Sequence, residues 1–340
     1  MDFEGCVPAV ERLWTLIDGF RLSQVLFVAV RLGIPDQLSE KPLSLDELAS
    51  RVGAVPSRLL RLMKVLVVLG IVVNDESGYA NSSVGNLLIT SGGSSAGKMA
   101  RYFSRPSTWE AWGCLELGIR SEAVPFQEAH GTDAWTFRAQ FPEEGAAFDA
   151  AMTPPSSDLP SILAKTVGPV EAGGMVVDVG GGRGALLDAV LSLNPLAKGV
   201  LVDRPEVVGG LSLPLVNAGR ITLQAKDIRT TVPTHGNVYL LKSVLHDWDD
   251  DAAVEILSVI RKALSASAVM YIYERVLDEM NTSKAEAFIS DIQMLVVLGG
   301  RERSQADFKS LIERAGLELL DVQQTGTSYS KITVKREAAI

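Results

Sequence analysis

Acidic, basic and imidazole side chains recur in the second half of this sequence, each at the end of a short apolar run. In open α/β sheets, ligands bind beyond the carboxyl ends of the strands, so residues at these ends are candidates for chemistry. A carboxylate there can hold a cationic ligand, and an imidazole can accept a proton near neutral pH. The candidates are Asp178, Asp203, Asp227, Lys242, His246 and Glu274.

Residues 175–203 combine an apolar strand pattern, a glycine-rich turn at 180–184, a helix pattern at 185–192 and a second strand that ends at Asp203. Glycines let a ligand approach the backbone, and an acid at the second strand's end can accept hydrogen bonds from a ribose diol. Asp178 before the turn would repel the pyrophosphate of a dinucleotide but suits a cation. S-adenosylmethionine has this chemistry, since it is an adenosine with a sulfonium, an ammonium and no phosphate. A tight strand–helix turn that binds nothing is the alternative interpretation of the glycines alone.

Strand and helix patterns alternate through the rest of the chain, which predicts a mostly parallel sheet with helices packed on it. The acidic run 249–251 is interpreted as the N-cap and first turn of a helix rather than a metal site. The predicted strands are 221–223, 238–241 and 268–273, the predicted helices are 250–264 and 304–316, and a terminal hairpin is predicted at 317–323 and 329–334.

The first hundred residues show helices at 8–33, after Ser44 and at 57–70, followed by a two-stranded wing at 71–80, an order typical of a winged helix. Ser44 and Glu47 form a capping-box pattern. DNA binding would need a surplus of basic residues, but residues 1–100 hold nine Lys or Arg against ten Asp or Glu. The apolar first helix instead favours a surface that a second subunit covers.

The chain has 340 residues, of which 47% are hydrophobic and 21% charged, and a formal net charge of −9. This composition is typical of a soluble globular protein and argues against nucleic-acid binding. Two cysteines, Cys6 and Cys114, provide no disulfide framework and fit a reducing cytoplasm. No signal peptide is expected, apolar runs such as 65–73 are too short to cross a bilayer, and no metal-ligand spacing is seen.

Residues 101–170 are predicted to be helical and irregular, with aromatic residues concentrated there. Aromatic residues at helical spacing are more typical of a core, but their position just before the nucleoside-binding unit favours a contribution of some of them to an acceptor pocket. Phe148 and Met152 lie in a helical segment that should stop at 153–155, before the two prolines. Of the three histidines, His130 and His235 are expected in surface loops or turns.

The segments VVDVGGGRG, LVD, KDI, LLKSVLHDWDD, ERV and GGRERS, in this order, resemble one family of S-adenosylmethionine-dependent O-methyltransferases. It includes the caffeic acid, hydroxyindole and bacterial polyketide and phenazine O-methyltransferases. The resemblance implies an α/β fold: a Rossmann-like class I methyltransferase domain at 171–340, a helical linker at 101–170, and an N-terminal, mostly helical winged-helix dimerisation domain at 1–100.

The resemblance also implies roles for individual residues. His246 would be the general base, flanked by Glu274 and Glu302. Lys226, Ile228 and Ser304 depart mildly from the family pattern. The predicted cofactor contacts are Asp178, Gly180, Gly182, Asp203, Asp227, Ile228, Lys242 and Trp248, and the predicted acceptor contacts are Trp112, Phe148, Met152, Asp291 and Met294.

We therefore expect a cytoplasmic homodimer that moves a methyl group from S-adenosylmethionine to a hydroxyl of a small aromatic secondary metabolite, without a metal. A phenol with a pKa of about 10 is protonated at neutral pH, whereas a histidine with a pKa of about 6.5 is mostly neutral and can accept its proton. The alternative is a family member that binds the cofactor but has altered chemistry or a regulatory role. The combination of His246 with two acids disfavours it.

Overall fold

The structure is a computed structural model that describes residues 8–91, 95–152, 158–211, 214–277 and 285–337. It divides into two compact units. We call residues 1–110 and 140–157 the N-terminal unit, and residues 111–139 and 158–340 the sheet unit. The predicted domain boundaries at 100 and 170 remain predictions. Cys6, the expected absence of a signal peptide and the predicted helix stop at 153–155 concern residues outside the described ranges.

The first part of the N-terminal unit has the predicted order of helices followed by a hairpin. Ser44 Oγ accepts a hydrogen bond from the Glu47 amide, and Glu47 Oε2 accepts one from the Ser44 amide, so the predicted capping box is confirmed. The elements are α1 (Ala9–Arg31), α2 (Ile34–Gln37), α3 (Leu45–Val52), α4 (Pro56–Val68), antiparallel strands β1 (Val72–Asp75) and β2 (Gly78–Asn81), α5 (Ser83–Asn86) and α6 (Ser95–Phe103).

Helix α1 exposes most of its apolar side chains, since only Ala29 and Val30 are buried. The exposed group contains Val10, Leu13, Trp14, Leu16, Ile17 and Phe20. By length and a hydropathy of 1.4, α1 could also cross a membrane. The expectation that apolar runs such as 65–73 are too short to span a bilayer concerned runs without charged residues, whereas α1 includes Asp18 and Arg21.

Five short helices follow between residues 106 and 152. The last one returns to the N-terminal unit, where Phe148 packs edge-on against Tyr102 with 5.6 Å between ring centroids and Glu144 pairs with Arg105 at 2.7 Å. The helices are α7 (Pro106–Gly113), α8 (Leu115–Arg120), α9 (Pro125–His130), α10 (Ala134–Gln140) and α11 (Pro142–Met152).

The sheet unit is built on seven strands in the order β10-β11-β7-β6-β3-β4-β5. The five strands from β7 to β5 are parallel, and β11 and β10 extend the sheet as the predicted antiparallel hairpin. The strands are β3 (Met175–Val179), β4 (Lys198–Asp203), β5 (Ile221–Ala225), β6 (Val238–Lys242), β7 (Val269–Glu274), β10 (Leu317–Gln324) and β11 (Ser330–Arg336).

Strand order reverses at β3, because the chain first builds towards β4 and β5 and then returns to place β6 on the other side. Such a switch point opens a crevice at the carboxyl ends of the strands. Asp178 on β3 and Lys242 at the end of β6 therefore flank the expected ligand position. The parallel sheet and its edge are those predicted from the sequence.

Helices and one short accessory ladder complete the sheet unit. Asp249 caps α16 by accepting a hydrogen bond from the Ala252 amide at 2.8 Å, which confirms the predicted role of the acidic run. The elements are α12 (Leu159–Val167), α13 (Ala185–Leu193), α14 (Pro205–Val208), α15 (Pro214–Asn217), a 3₁₀ turn (Leu245–Asp247), α16 (Asp250–Ala263), β8 (Val276–Leu277), α17 (Ala285–Val297), β9 (Arg303–Ser304) and α18 (Gln305–Arg314).

Candidate active site

The glycine-rich turn after β3 is fixed against the end of β4. Gly180 and Gly182 have φ values of 67° and 58°, which side chains other than glycine rarely adopt. The Gly180 amide donates to the Val202 carbonyl at 2.8 Å, and the Gly182 amide donates to Asp203 Oδ2 at 2.7 Å. A Cβ at Gly181 would lie 2.5 Å from the Asp178 carboxyl group. The turn therefore brings its backbone close to both acids.

Asp178 is a buried carboxylate that has no hydrogen bond within the described part of the chain. Its side chain is 1% exposed. Burial raises the pKa of Asp178 to about 7, although the charge of Lys242 opposes the increase. A cationic ligand beside this carboxylate would supply the missing counter-charge.

Asp203 is held by two backbone amides and still has capacity to bind a ligand. Its Oδ1 accepts from the Arg204 amide and its Oδ2 from the Gly182 amide, both at 2.7 Å. Burial raises the pKa of Asp203. Because each carboxylate oxygen can accept more than one hydrogen bond, the hydroxyls of a ribose can still donate to it.

Arg229 contacts both Asp227 and Trp248. The Arg229 side chain donates to Asp227 Oδ2 at 2.9 Å, and this hydrogen bond lowers the pKa of the carboxyl group. The Arg229 guanidinium also lies 5.0 Å from the centroid of the Trp248 ring. Ile228 packs against the core beside the glycine turn, where its Cδ1 would lie 3.7 Å from a Cβ at Gly180.

Lys242 is part of a network that sequence analysis did not predict. Its Nζ donates to Ser243 Oγ at 3.3 Å, and Ser243 Oγ lies 2.9 Å from the Tyr329 hydroxyl. The Arg275 guanidinium lies 4.9 Å from the centroid of the Tyr329 ring. Burial alone would raise the pKa of Tyr329, but the charges of Lys242 and Arg275 outweigh it and lower the pKa. Tyr329 precedes an antiparallel strand, whose amino end meets the carboxyl ends of the parallel strands.

His246 lies in the 3₁₀ turn after β6 and has carboxylates near both ring nitrogens. Its Nδ1 is 3.1 Å from Glu302 Oε1 and 3.5 Å from Glu274 Oε2. Its Nε2 is 3.4 Å from Asp247 Oδ1. The imidazole is 7% exposed and Glu274 is fully buried. The structure therefore brings together the predicted base and the two predicted acids, and it adds Asp247.

The surroundings of His246 differ from those of an ordinary exposed histidine. Burial alone would lower its pKa, but the charges of Glu274, Asp247 and Glu302 outweigh burial and raise the pKa to about 10. Burial also raises the pKa of Asp247 to about 6. The three adjacent acids therefore favour the protonated form of the His246 imidazole. The expectation of a pKa of about 6.5 did not include the charges of these acids.

Two elements bring Glu302 to the imidazole. Strand β9 pairs with β8 immediately after Glu302, so that residue lies beside the end of β7, which carries Glu274. The Glu302 amide donates to Asp291 Oδ1 at 2.8 Å, and Ser290 Oγ donates to Glu302 Oε1 at 2.7 Å. Glu274 Oε1 accepts from the amides of Val244 and Leu245, at 3.0 and 2.9 Å.

The same three side chains could also hold a metal ion by geometry alone. His246, Glu274 and Glu302 offer ligand atoms that lie within 4.8 Å of one another. One oxygen of each glutamate already accepts hydrogen bonds from neighbouring groups, which favours an acid–imidazole cluster. The expectation of a metal-free site stays a prediction.

Comparison with known proteins identifies the family. Residues 112–318 match the profile of the O-methyltransferase domain, and residues 14–91 match that of the O-methyltransferase dimerisation domain. The chain belongs to the S-adenosylmethionine-dependent O-methyltransferases. The resemblance inferred from the sequence motifs, the class I methyltransferase fold and the cofactor are thus confirmed.

Similar proteins include methyltransferases named for mitomycin biosynthesis and a human methyltransferase. The chain is 32% identical over 343 residues to a mitomycin biosynthesis 6-O-methyltransferase from Streptomyces lavendulae, covering 97% of this chain and 95% of the relative. The structure of the mitomycin 7-O-methyltransferase MmcR superposes with a TM-score of 0.89 at 30% identity, covering 96% and 98% of the two chains. Human N-acetylserotonin methyltransferase in complex with S-adenosylmethionine gives 0.85 at 26% identity, covering 99% and 100%.

The residues present fit S-adenosylmethionine. Within the described ranges the buried carboxylate of Asp178 accepts no hydrogen bond, and a cation would supply a counter-charge. Asp203 can accept from hydroxyl groups, and the left-handed glycines leave the turn without side chains. When bound, S-adenosylmethionine supplies a methyl group on a positively charged sulfur. The individual contacts remain predictions.

The predicted acceptor residues of this methyltransferase lie in both compact units. In the sheet unit, Trp112 Nε1 donates to Gln293 Oε1 at 2.8 Å on α17, the helix that also carries Asp291 and the half-buried Met294. Phe148 and Met152 belong to the N-terminal unit, where Met152 is 45% exposed at the end of α11. All five remain predictions.

Helix α10 contributes residues that sequence analysis did not assign to the site. The Arg204 guanidinium, next to Asp203, lies 4.4 Å from the centroid of the Trp135 ring. Arg138 is buried, and its charge acts on Asp247 beside His246. Helix α10 therefore lies close both to the segment that carries Asp203 and to Asp247 beside His246. The sequence signal of Trp135 and Arg138 is weak, because a Trp and an Arg three positions apart lie on the same face of any ordinary helix.

The other two histidines lie outside this cluster. His235 is an exposed turn residue with a φ of 68°, as expected. His130 is not in a loop, because it ends α9 and packs against Phe126 and Phe137 with centroid distances of 4.5 and 4.9 Å. The following Gly131, which ends the helix in a left-handed conformation, produces the loop-like sequence pattern.

Proposed function

We propose that the protein methylates a hydroxyl group of a small aromatic secondary metabolite and that His246 manages the proton of that hydroxyl. The observation that carries the proposal is the buried imidazole with Glu302 3.1 Å from Nδ1. A carboxylate on one ring nitrogen fixes the ring orientation and stabilises an imidazolium. The other nitrogen, Nε2, is then the one that meets the acceptor.

Proton transfer between His246 and a phenol needs little energy in this arrangement. The pKa of His246, about 10, is close to the pKa of a phenol, about 10. An imidazolium beside a phenolate and a neutral imidazole beside a phenol therefore have similar free energies. The phenolate oxygen forms the bond to the methyl carbon as the carbon–sulfur bond breaks. The proton stays on His246 until it exchanges with solvent.

Turnover should depend on pH through the proton of His246. His246 holds a proton at neutral pH, so the productive complex of the acceptor and enzyme has to lose one proton first. Turnover should therefore increase with pH above neutrality and level off only where this proton is lost. If His246 had the ordinary histidine pKa of about 6.5, turnover would instead increase with pH around 6.5.

The assembly that we propose is a homodimer formed through the dimerisation domain at residues 14–91. The exposed apolar side chains of α1, including Trp14 and Phe20, would be covered by a second subunit. We therefore interpret the apolar face of α1 as a subunit interface rather than as a membrane-spanning surface. We propose a cytoplasmic location and no nucleic-acid partner, in agreement with the net charge of −9.

The direct test incubates the chelator-treated protein with methyl-labelled S-adenosylmethionine and a panel of phenols, hydroxynaphthoates, hydroxyphenazines and anilines. We expect label on a hydroxyl oxygen of an aromatic compound, located by mass spectrometry. Anilines are a useful contrast, because a neutral amine can attack without losing a proton first. Cofactor binding without transfer to any aromatic hydroxyl would favour the alternative of a regulatory or altered-chemistry protein. Activity restored only by added metal would contradict a metal-free site.

A further inference from the structure

The turn that carries His246 is held by the chain segment that also supplies Glu302. This segment, residues 300–303, passes behind the turn at residues 245–248. Glu302 contacts the imidazole ring itself. Its neighbours Gly300 and Arg303 contact the backbone of the turn, at positions that the proposed chemistry does not otherwise use.

Arg303 joins both ends of the turn. Its Nη1 donates to the Leu245 carbonyl at 2.7 Å, and its Nη2 donates to the Trp248 carbonyl at 2.8 Å. These two residues flank His246 and Asp247 in sequence. The guanidinium also donates to Asp250 Oδ1, from Nε at 2.9 Å and Nη2 at 2.8 Å. One side chain therefore ties the turn to the start of α16.

Gly300 makes a backbone-to-backbone contact with the same turn. A Cβ at this position would overlap the carbonyl oxygen of His246 and would lie 2.6 Å from the Asp247 carbonyl carbon and 2.8 Å from the Trp248 amide nitrogen. The atoms that it would meet are backbone atoms, which cannot rotate away as a flexible side chain can. A side chain at residue 300 would therefore have to displace the turn.

An ordinary structural ion pair would not explain this geometry. Arg303 is fully buried, whereas the side chain of its acidic partner Asp250 is 40% exposed. Burial of a guanidinium is costly unless its hydrogen bonds are satisfied, and two of them are satisfied by carbonyls of the His246 turn. Arg301 provides a natural contrast, since it also pairs with Asp250, at 3.7 Å, but is 46% exposed.

We propose that Arg303 and Gly300 are positioning residues that fix the 245–248 turn so that the His246 ring stays against Glu302. This inference rests on the role proposed above for His246. Loss of either contact should let the turn move, separate Nδ1 from Glu302 and impair the proton transfer. Cofactor binding should change less than turnover, because Trp248 is the one predicted cofactor contact that lies in this turn.

The test compares Arg303→Met, Arg303→Lys and Gly300→Ala with the matched control Arg301→Met. The first readout is the pKa of His246 in the complex with S-adenosylhomocysteine, measured by NMR of labelled histidine. The chain has only three histidines, so His246→Gln assigns the signal. The second readout is turnover with the panel acceptor that reacts fastest, and the third is affinity for S-adenosylhomocysteine.

We expect Arg303→Met to lower turnover by roughly 10²-fold, as a displacement of about 1 Å can do. We expect its His246 pKa to fall towards the ordinary value of about 6.5. Gly300→Ala should change both quantities in the same direction, and Arg303→Lys should lie between Arg303→Met and the wild type. Arg301→Met should match the wild type. Affinity for S-adenosylhomocysteine should fall by a smaller factor than turnover in Arg303→Met and Gly300→Ala, because Trp248 is the one predicted cofactor contact in the displaced turn.

Unchanged His246 pKa values in both Arg303→Met and Gly300→Ala would overturn the inference, even if turnover fell. If Arg303→Met does not fold, the His246 pKa and turnover of Gly300→Ala and Arg303→Lys test the inference instead. A wild-type protein that methylates none of the panel would leave the proposed function unsupported, whereas the NMR titration would still test the positioning contacts. The two failures are therefore distinguishable.

Discussion

Two groups of buried acids lie at the same edge of the sheet, and their charges are balanced in different ways. Asp178 has no hydrogen bond within the described residues, and burial raises its pKa to about 7. Glu274 and Glu302, by contrast, share the imidazole of His246 and accept hydrogen bonds from neighbouring groups. In the first group the charge of Lys242 does not outweigh the burial of Asp178, whereas the second group contains the imidazole of His246 against its acids.

This difference indicates a division of labour. A site whose buried carboxylate is only partly balanced by a nearby charge gains free energy when a cationic cofactor binds, so mutations there should change affinity. A site that already contains an imidazolium and its acids gains little from the cofactor, so mutations there should change turnover. The predictions below separate these two quantities.

The largest effect should come from His246→Ala. Loss of a general acid–base group typically costs roughly 10²–10⁴-fold in turnover. Affinity for S-adenosylhomocysteine should remain close to that of the wild type, because His246 is not among the predicted cofactor contacts. Steady-state kinetics and calorimetry on the same preparation measure both. A comparable loss of affinity would show that the two groups of acids are not independent.

Asp203→Ala should have the opposite signature. Hydrogen bonds to a charged group contribute about 1.5–3 kcal/mol, so we expect cofactor and product affinity to fall by roughly 10- to 100-fold. Turnover at saturating cofactor should fall much less. The exposed Glu206, which pairs with Arg204 at 3.0 Å, provides the control substitution Glu206→Ala. Unchanged affinity in Asp203→Ala would contradict the assignment of Asp203 to the ribose.

Glu302→Gln and Glu274→Gln should each lower turnover less than His246→Ala, since these acids orient and stabilise the imidazole. Removal of a negative charge should also lower the pKa of His246, because Glu274 and Glu302 both raise it. The pH at which turnover levels off should therefore decrease in both variants. An unchanged pH profile would exclude these acids from the proton transfer.

Cofactor affinity should depend on pH through Asp178. Its pKa in the folded protein, about 7, is above the ordinary value of 3.8, so the unbound protein holds a proton there below neutrality. The ammonium and sulfonium groups favour the ionised carboxylate, so affinity should fall as the pH decreases through 7, by at most about tenfold per unit. Calorimetry in two buffers should detect proton release. Asp178→Asn should abolish the dependence.

The same shift predicts a stability trend in the absence of cofactor. A carboxyl group with a raised pKa favours the folded state while it is protonated, and ionisation of the buried group costs free energy. The free energy of unfolding should therefore decrease between pH 3.8 and about 7 relative to Asp178→Asn. Chemical denaturation at several pH values measures this difference.

The smallest effect on either group of acids should come from the N-terminal unit. We expect a dimer of about twice the 36.5 kDa chain mass by light scattering. Trp14→Glu combined with Phe20→Glu should produce monomers, because these side chains are exposed and apolar on α1. A monomeric wild type, or tight salt-sensitive DNA binding, would overturn the proposed role of this unit.

Sequence patterns predicted the sheet and its edge because parallel strands place their carboxyl ends together. Asp178, Asp203, Lys242, His246 and Glu274 all follow from that rule. Glu302 was implied only by family resemblance, since it reaches the imidazole through the pairing of β8 with β9. That pairing involves two residues on each side and leaves no periodic signal.

Other features depend on distances that a sequence does not contain. Tyr329 precedes an antiparallel strand, so the rule for parallel strands does not include it. The pKa of His246 depends on three acids that lie within 3.5 Å of its ring nitrogens, two of them distant in sequence. The packing of α11 within the N-terminal unit likewise depends on contacts such as Arg105 with Glu144.

The central claim is that His246 manages the proton of the acceptor, and one series of measurements tests it most directly. Turnover of the wild type and of His246→Ala should be compared on a series of phenols whose pKa values decrease from about 10 to below the assay pH. If His246 accepts the proton, the ratio of wild-type to His246→Ala turnover should be roughly 10²–10⁴ for the least acidic phenol and should decrease steeply as the phenols become ionised in solution. A ratio that is independent of the acidity of the phenol would show that His246 does not accept this proton.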